Sequence, residues 1–126
     1  MHLLLGLRSR LAVLSHPKLG ASWEGFALDQ IVRRLDAERD AFFYRTHGGA
    51  EMDLVVSRNG KRYGFEIKHA DAPRITKSMH VAIEDLQLEH VFVVHPGDTS
   101  HPLAERISTV ALRELDELAR RHRLGG

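Results

Sequence analysis

Four residues of this chain have types and spacings that suit chemistry: Glu24, Asp53, Glu66 and Lys68. Asn59-Gly60 separates two runs that read as strands, 51–58 and 61–68. Asn-Gly is the favoured two-residue hairpin turn, because both positions need positive φ. A loop of that length sets Asp53 opposite Glu66, with Cβ atoms roughly 4.5–5.5 Å apart. Two carboxylates so placed repel each other unless a cation lies between them. Side chains alternate along a strand, so Glu66 and Lys68 share one face while Tyr63, Phe65 and Ile67 share the other.

Glu24 sits in a segment, 19–38, whose apolar residues Trp23, Ala27, Leu28, Ile31 and Leu35 recur at helical spacing. On a helical wheel Glu24 falls in the middle of that stripe, where a carboxylate is not expected. A buried carboxylate needs a partner, a metal or a proton. Three carboxylates therefore have reason to converge, with the Lys68 ammonium beside them. Oxygen ligands alone suit a hard cation such as Mg²⁺ or Mn²⁺, which keeps several waters and leaves room for a phosphate. The chemistry of such a site is metal-assisted hydrolysis of a phosphodiester, with Lys68 orienting or helping to deprotonate the attacking water and stabilising charge. Two plainer readings stand beside it. A strand Asp and a Glu-x-Lys also occur on solvated sheet faces, and Glu24 would serve equally as the partner of Lys68 or Arg62 in a structural salt bridge.

The elements that must position these residues follow from pattern. Residues 1–14 read as helix and 19–38 as a long amphipathic helix. Residues 42–47 read as a strand, followed by the hairpin. Pro73 is read as opening a helix that runs to about residue 88. Residues 90–95 form a buried-type strand stopped by Pro96-Gly97. Residues 99–110 read as irregular or a short strand, and 112–121 as a terminal helix. The order helix, strand, strand, strand, helix, strand, helix implies an α/β fold, a mixed sheet with helices on its faces.

At 126 residues the chain is one domain's worth, with 1–18 as a helical lead-in to it. Hydrophobic residues are 43% and charged residues 28%, which excludes disordered and fibrous classes. Cysteine is absent, so disulfides, thiolate zinc sites and a Cys nucleophile are excluded. The net charge of +1 argues against tight non-specific nucleic-acid binding driven by overall charge. The apolar start, 2–7, is too short to span a membrane and is followed, not preceded, by basic residues. The expectation is a cytoplasmic protein with no membrane partner.

The acidic pattern resembles the PD-(D/E)XK nuclease-like superfamily, through Glu24, Asp53 and Glu66-Ile67-Lys68. More closely, the chain is similar to the family named domain of unknown function 4143. The stretches that carry this likeness are Ser15-His16-Pro17-Lys18-Leu19-Gly20, Trp23-Glu24-Gly25-Phe26, Gly49-Ala50-Glu51-Met52-Asp53-Leu54-Val55, Phe65-Glu66-Ile67-Lys68, Thr76-Lys77-Ser78 and Val93-Val94-His95-Pro96-Gly97. The resemblance implies a restriction-endonuclease-like α-β-β-β-α-β core. It also implies catalytic residues Asp53, Glu66, Lys68 and Glu24, and a Mg²⁺ or Mn²⁺ held by Asp53, Glu66, Glu24 and Ile67. A nuclease-like hydrolase acting on nucleic acid is the function it implies. The alternative is an inert accessory domain of an AAA+-type ATPase, since in that family the domain usually follows such a module. No GxxxxGK[ST] phosphate loop occurs here. Met52 stands where the superfamily motif has Pro.

The remaining chemistry-bearing residues are weaker. Arg62, Arg74, Lys77 and Ser78 are the candidate contacts to a nucleic-acid backbone, whereas Arg58 and Lys61 read as solubilising charges at the hairpin tip. None of the nine histidines forms a zinc signature. His69 reads as structural or exposed, and His16, His47 and His101 as turn residues. At 6% aromatic residues, there is little sign of a base-stacking platform.

Overall fold

Asn59 and Gly60 take φ values of 55° and 78°, the positive pair that a tight hairpin turn requires. The computed structural model describes residues 2–6, 22–46, 48–70 and 73–124. The turn joins β3 (Glu51–Arg58) to β4 (Lys61–Ile67) in the register expected from the sequence, from Arg58↔Lys61 to Leu54↔Phe65. Strand β2 (Ala41–Thr46) precedes them and pairs antiparallel with β3.

Helix α1 (Trp23–Arg34) leads into β2. It is shorter than the 19–38 expectation, because Ser22 caps it by accepting the Gly25 N–H. Helix α2 (Lys77–Leu86) connects β4 to β5 (His90–His95), which runs parallel to β4. It begins not at Pro73 but after Thr76, whose hydroxyl accepts the Met79 N–H at 3.3 Å. Pro73 lacks an N–H to donate, but the side chain that satisfies the first turn decides where the helix starts.

The 99–110 segment is a second hairpin, β6 (His101–Ala104) and β7 (Ile107–Ala111). Strand β7 lies parallel to β5, and its Ile107, Thr109 and Val110 are buried. His101 therefore opens a strand and is not a turn residue. Helix α3 (Leu115–His122) closes the described chain.

Residues 2–6 correct the helical reading of the amino end. They form β1 (His2–Gly6), antiparallel to β2. A short apolar run cannot be assigned to helix or strand by periodicity, and the edge of β2 offers a row of backbone partners. The rest of the 1–18 lead-in, with His16, and also His47, lie outside the described residues.

The described strands form one mixed sheet in the order β1-β2-β3-β4-β5-β7-β6. One face carries Leu54, Val56, Phe65, Ile67, Phe92, Val94 and Val110 beneath α1 and α3. The other carries Met52, Val55, Val91, Val93 and Ile107 beneath α2. The result is an α/β sandwich of three layers. Each helix seals one face of strands that alternate between the two cores.

Candidate functional site

The end of the sheet where β4 and β5 finish gathers most of the expected residues. Strand β3 runs antiparallel to β4, so Asp53 near its start lies beside Glu66 near the end of β4. Helix α2 returns from that same end, so Arg74, Lys77 and Ser78 lie there too. In α/β sheets, ligands bind outside the carboxyl ends of the parallel strands.

A local irregularity sets Asp53 apart. Phe42 pairs with Val55 and Tyr44 with Met52, so Phe43 alone faces both Asp53 and Leu54. This is a β-bulge, the kind of feature that re-aims a side chain. Its effect is visible in the cores: Met52 and Val55 face α2, while Leu54 and Val56 face α1 and α3. The ladder with β4 ends at Leu54↔Phe65, one pair short of Asp53 and Glu66. Asp53 Oδ2 instead accepts the Ile67 N–H at 2.9 Å. The next amide, Lys68, turns the other way and donates to the Val94 carbonyl. The Asp53 carboxylate thus stands where a ladder carbonyl would.

Asp53 and Glu66 are each only 4% exposed, the buried acids of the two central strands. Burial of two neighbouring carboxylates is costly without compensating partners. Lys68, two residues after Glu66, is half-buried.

Glu24 corrects the expected convergence of three carboxylates. Glu66 pairs with Val93 and alternates with Phe65 and Ile67, so it belongs to the face under α2, whereas α1 covers the opposite face. Glu24 lies in the first turn of α1 and is half-buried, with His69 Nδ1 3.9 Å from its Oε1. The His69 ring stacks on Trp23, centroids 5.3 Å apart. Among the described residues no three His, Asp or Glu side chains are grouped to hold one ion. The donor set that remains is Asp53 with Glu66, and one or two carboxylates are what a Mg²⁺ site commonly draws from a protein.

The hairpin-tip residues lie away from this end. Arg62 is six residues before Lys68, roughly 20 Å along an extended strand, and its Nη1 reaches the Leu86 carbonyl. Arg58 is not a solubilising charge. Its side chain is 11% exposed and pairs with Asp40. Its guanidinium also donates to the carbonyls of Leu35, Asp36 and Leu124. It ties the end of α1 to the chain leaving α3.

Sequence reasoning missed the aromatic surface here. Phe26 is 54% exposed, the exposed large hydrophobic of the described residues. Its signal was available: on the wheel Phe26 falls outside the buried stripe, on the same side as Trp23.

These features define an α/β domain with a buried acidic pair at the carboxyl end of its parallel strands. The chain belongs to the family described as "Domain of unknown function (DUF4143)", whose model matches residues 19–115. It is similar to the uncharacterized proteins Rv2008c of Mycobacterium tuberculosis and Mb2031c of Mycobacterium bovis. Each is 46% identical over 110 residues, 87% of this chain and 25% of the relative. The chain thus spans about a quarter of the length of these curated relatives. Among solved structures, protein VC1899 from Vibrio cholerae aligns with a TM-score of 0.41 and 16% identity, over 80% of this chain and 33% of that one.

Proposed function

We propose that this domain is a restriction-endonuclease-like, metal-dependent nuclease domain that hydrolyses phosphodiester bonds of nucleic acid. The observation that carries the reading is the buried pair Asp53 and Glu66 on adjacent strands, with Lys68 two residues on. Asp53 and Glu66 would hold Mg²⁺ or Mn²⁺. The ion would supply charge neutralisation and an activated water. Lys68 would orient that water and stabilise charge developing on the phosphate. Ile67 supports the pair through its N–H, which fixes the Asp53 carboxylate. Arg74, Lys77 and Ser78, at the same end, are the contacts offered to a phosphate backbone.

A second reading is favoured by a separate observation. In the relatives this domain is about a quarter of the chain, and Glu24 approaches His69 and not the acidic pair. On that reading the domain is an inert accessory module of a longer protein, an AAA+-type ATPase by resemblance. The two readings are separated by cleavage of single- and double-stranded substrates with Mg²⁺, comparing wild type with Asp53→Asn and Lys68→Ala. The nuclease reading expects cleavage in wild type, none with Asp53→Asn and reduced cleavage with Lys68→Ala. No Mg²⁺-dependent cleavage by the wild type, or equal cleavage by all three, refutes it.

A further inference from the structure

Along α1, Trp23, Phe26, Gln30 and Arg34 fall on one stripe at helical spacing. With Pro96, after β5, and Leu112 and Arg113, after β7, they line a surface groove of about 290 Å³. Its lining holds three apolar or aromatic groups beside Trp23, two arginines and no carboxylate. Trp23 extends the groove to the stacked, exposed ring of His69. We infer that the aromatic row His69, Trp23 and Phe26, flanked by Arg34 and Arg113, binds a single strand of nucleic acid by stacking its bases. The inference deepens the proposed function by naming a single strand as the substrate, and it rests on that reading for the hydrolysis of the bound strand.

The chemistry favours this occupant. A half-exposed Phe beside two arginines presents a π-face with cations on its flank, which suits bases strung on phosphates. An apolar peptide would need only the apolar face. The arginines are held by exposed pairs, Arg34 with Asp116 at 2.7 Å and Arg113 with Asp98 at 3.1 Å. Exposed pairs are weak, so phosphates can displace those carboxylates. A duplex would keep its bases stacked on each other and out of reach.

The test is fluorescence anisotropy with labelled single-stranded DNA and RNA of about 15 nucleotides, each against its own duplex. EDTA is present throughout, so that binding is read apart from any metal-dependent step. Wild type should bind the single strands more tightly than the duplexes, and more weakly as salt rises. The DNA and RNA arms identify which strand is preferred. Phe26→Ala should weaken binding about tenfold, the scale of one lost base–aromatic stack. Phe26→Leu should weaken it as much, because it keeps apolar bulk but no π-face, while Phe26→Tyr should bind as wild type does. Phe26 is exposed, so all three should melt as wild type does. Absence of single-strand binding by wild type, or unchanged binding by Phe26→Ala, overturns the inference. Wild-type binding by Phe26→Leu also overturns it, since the groove would then be an apolar docking site for protein. Phe26-dependent binding by a protein that cleaves nothing with Mg²⁺ sinks the hydrolytic reading and leaves the binding site standing.

Discussion

Removal of the Arg58 guanidinium should loosen both helices that cover the face of the sheet bearing Phe65 and Ile67. Its Nε donates to the Leu124 carbonyl at 3.2 Å and its Nη2 to the Asp36 carbonyl at 3.1 Å and the Leu35 carbonyl, while Nη1 pairs with Asp40. Hydrogen bonds to a charged group are worth about 1.5–3 kcal/mol each, and they are not additive. Breaking a buried charged pair costs about 3–5 kcal/mol, but Asp40 is 40% exposed and water will take over part of the loss. Arg58→Ala should therefore cost about 3 kcal/mol, which lowers the melting temperature by roughly 10 °C in a domain of this size. Arg58→Lys keeps a charge for Asp40 but has no fork to span three carbonyls, so it should recover only part of the loss. Urea denaturation of the three proteins measures this directly, with equal m-values expected. A loss below about 1 kcal/mol for Arg58→Ala, or full rescue by lysine, would refute the claim that this guanidinium holds the helix ends together.

Other outcomes follow from the same geometry. A Cβ on Gly64 would lie 3.0 Å from Leu88 Cδ1 and 3.1 Å from Met52 Sδ. Gly64→Val should then cost about 1–3 kcal/mol in urea melts, and a neutral result would mean that this face yields freely. Ser22→Ala should destabilise by about 1 kcal/mol through loss of the α1 cap, detectable as a lower melting temperature that Ser22→Asp restores. Burial holds His90 below its ordinary pKa, with His122 adding to the shift, and burial does the same for His122. The folded state therefore binds fewer protons than the unfolded chain, so stability is full at neutral pH and falls as pH drops below about 6.5. His90→Phe should flatten that slope, and an unchanged slope would show that the acid sensitivity lies elsewhere.

The hairpin was legible because one dipeptide, Asn59-Gly60, fixes both turn and register. The buried stripe of α1 was legible because Ala27, Leu28, Ile31 and Leu35 recur at helical spacing. Residues 99–110 read from sequence as irregular or a short strand, which does not separate β6 from β7. Ile107, Thr109 and Val110 are β-formers, but what buries them is a parallel partner some 16 residues earlier, and such pairing leaves no local mark. Strand β1 was misread because Leu3-Leu4-Leu5 suits either element. Within the site, adjacency of Asp53 and Glu66 followed from the register, but the bulge that turns Asp53 toward the Ile67 N–H did not. A bulge is set by β2 as much as by β3, and its count of two residues against one appears only when both strands are paired. The wheel placed Glu24 toward the sheet correctly in angle. It could not show that α1 lies on the face opposite Glu66, which is a matter of topology.

The proposed chemistry stands or falls on whether Asp53 and Glu66 together hold a divalent cation. Melting temperature measured against Mn²⁺ concentration tests this most directly, for wild type, Asp53→Asn and Glu66→Gln. A bound ion stabilises the fold by mass action, so wild type should melt at progressively higher temperature as Mn²⁺ rises. The amide oxygen introduced by Asp53→Asn can still accept the Ile67 N–H, so that variant should remain folded while losing the response, as should Glu66→Gln. A wild type indifferent to Mn²⁺, or variants that respond as strongly as wild type, would contradict the claim.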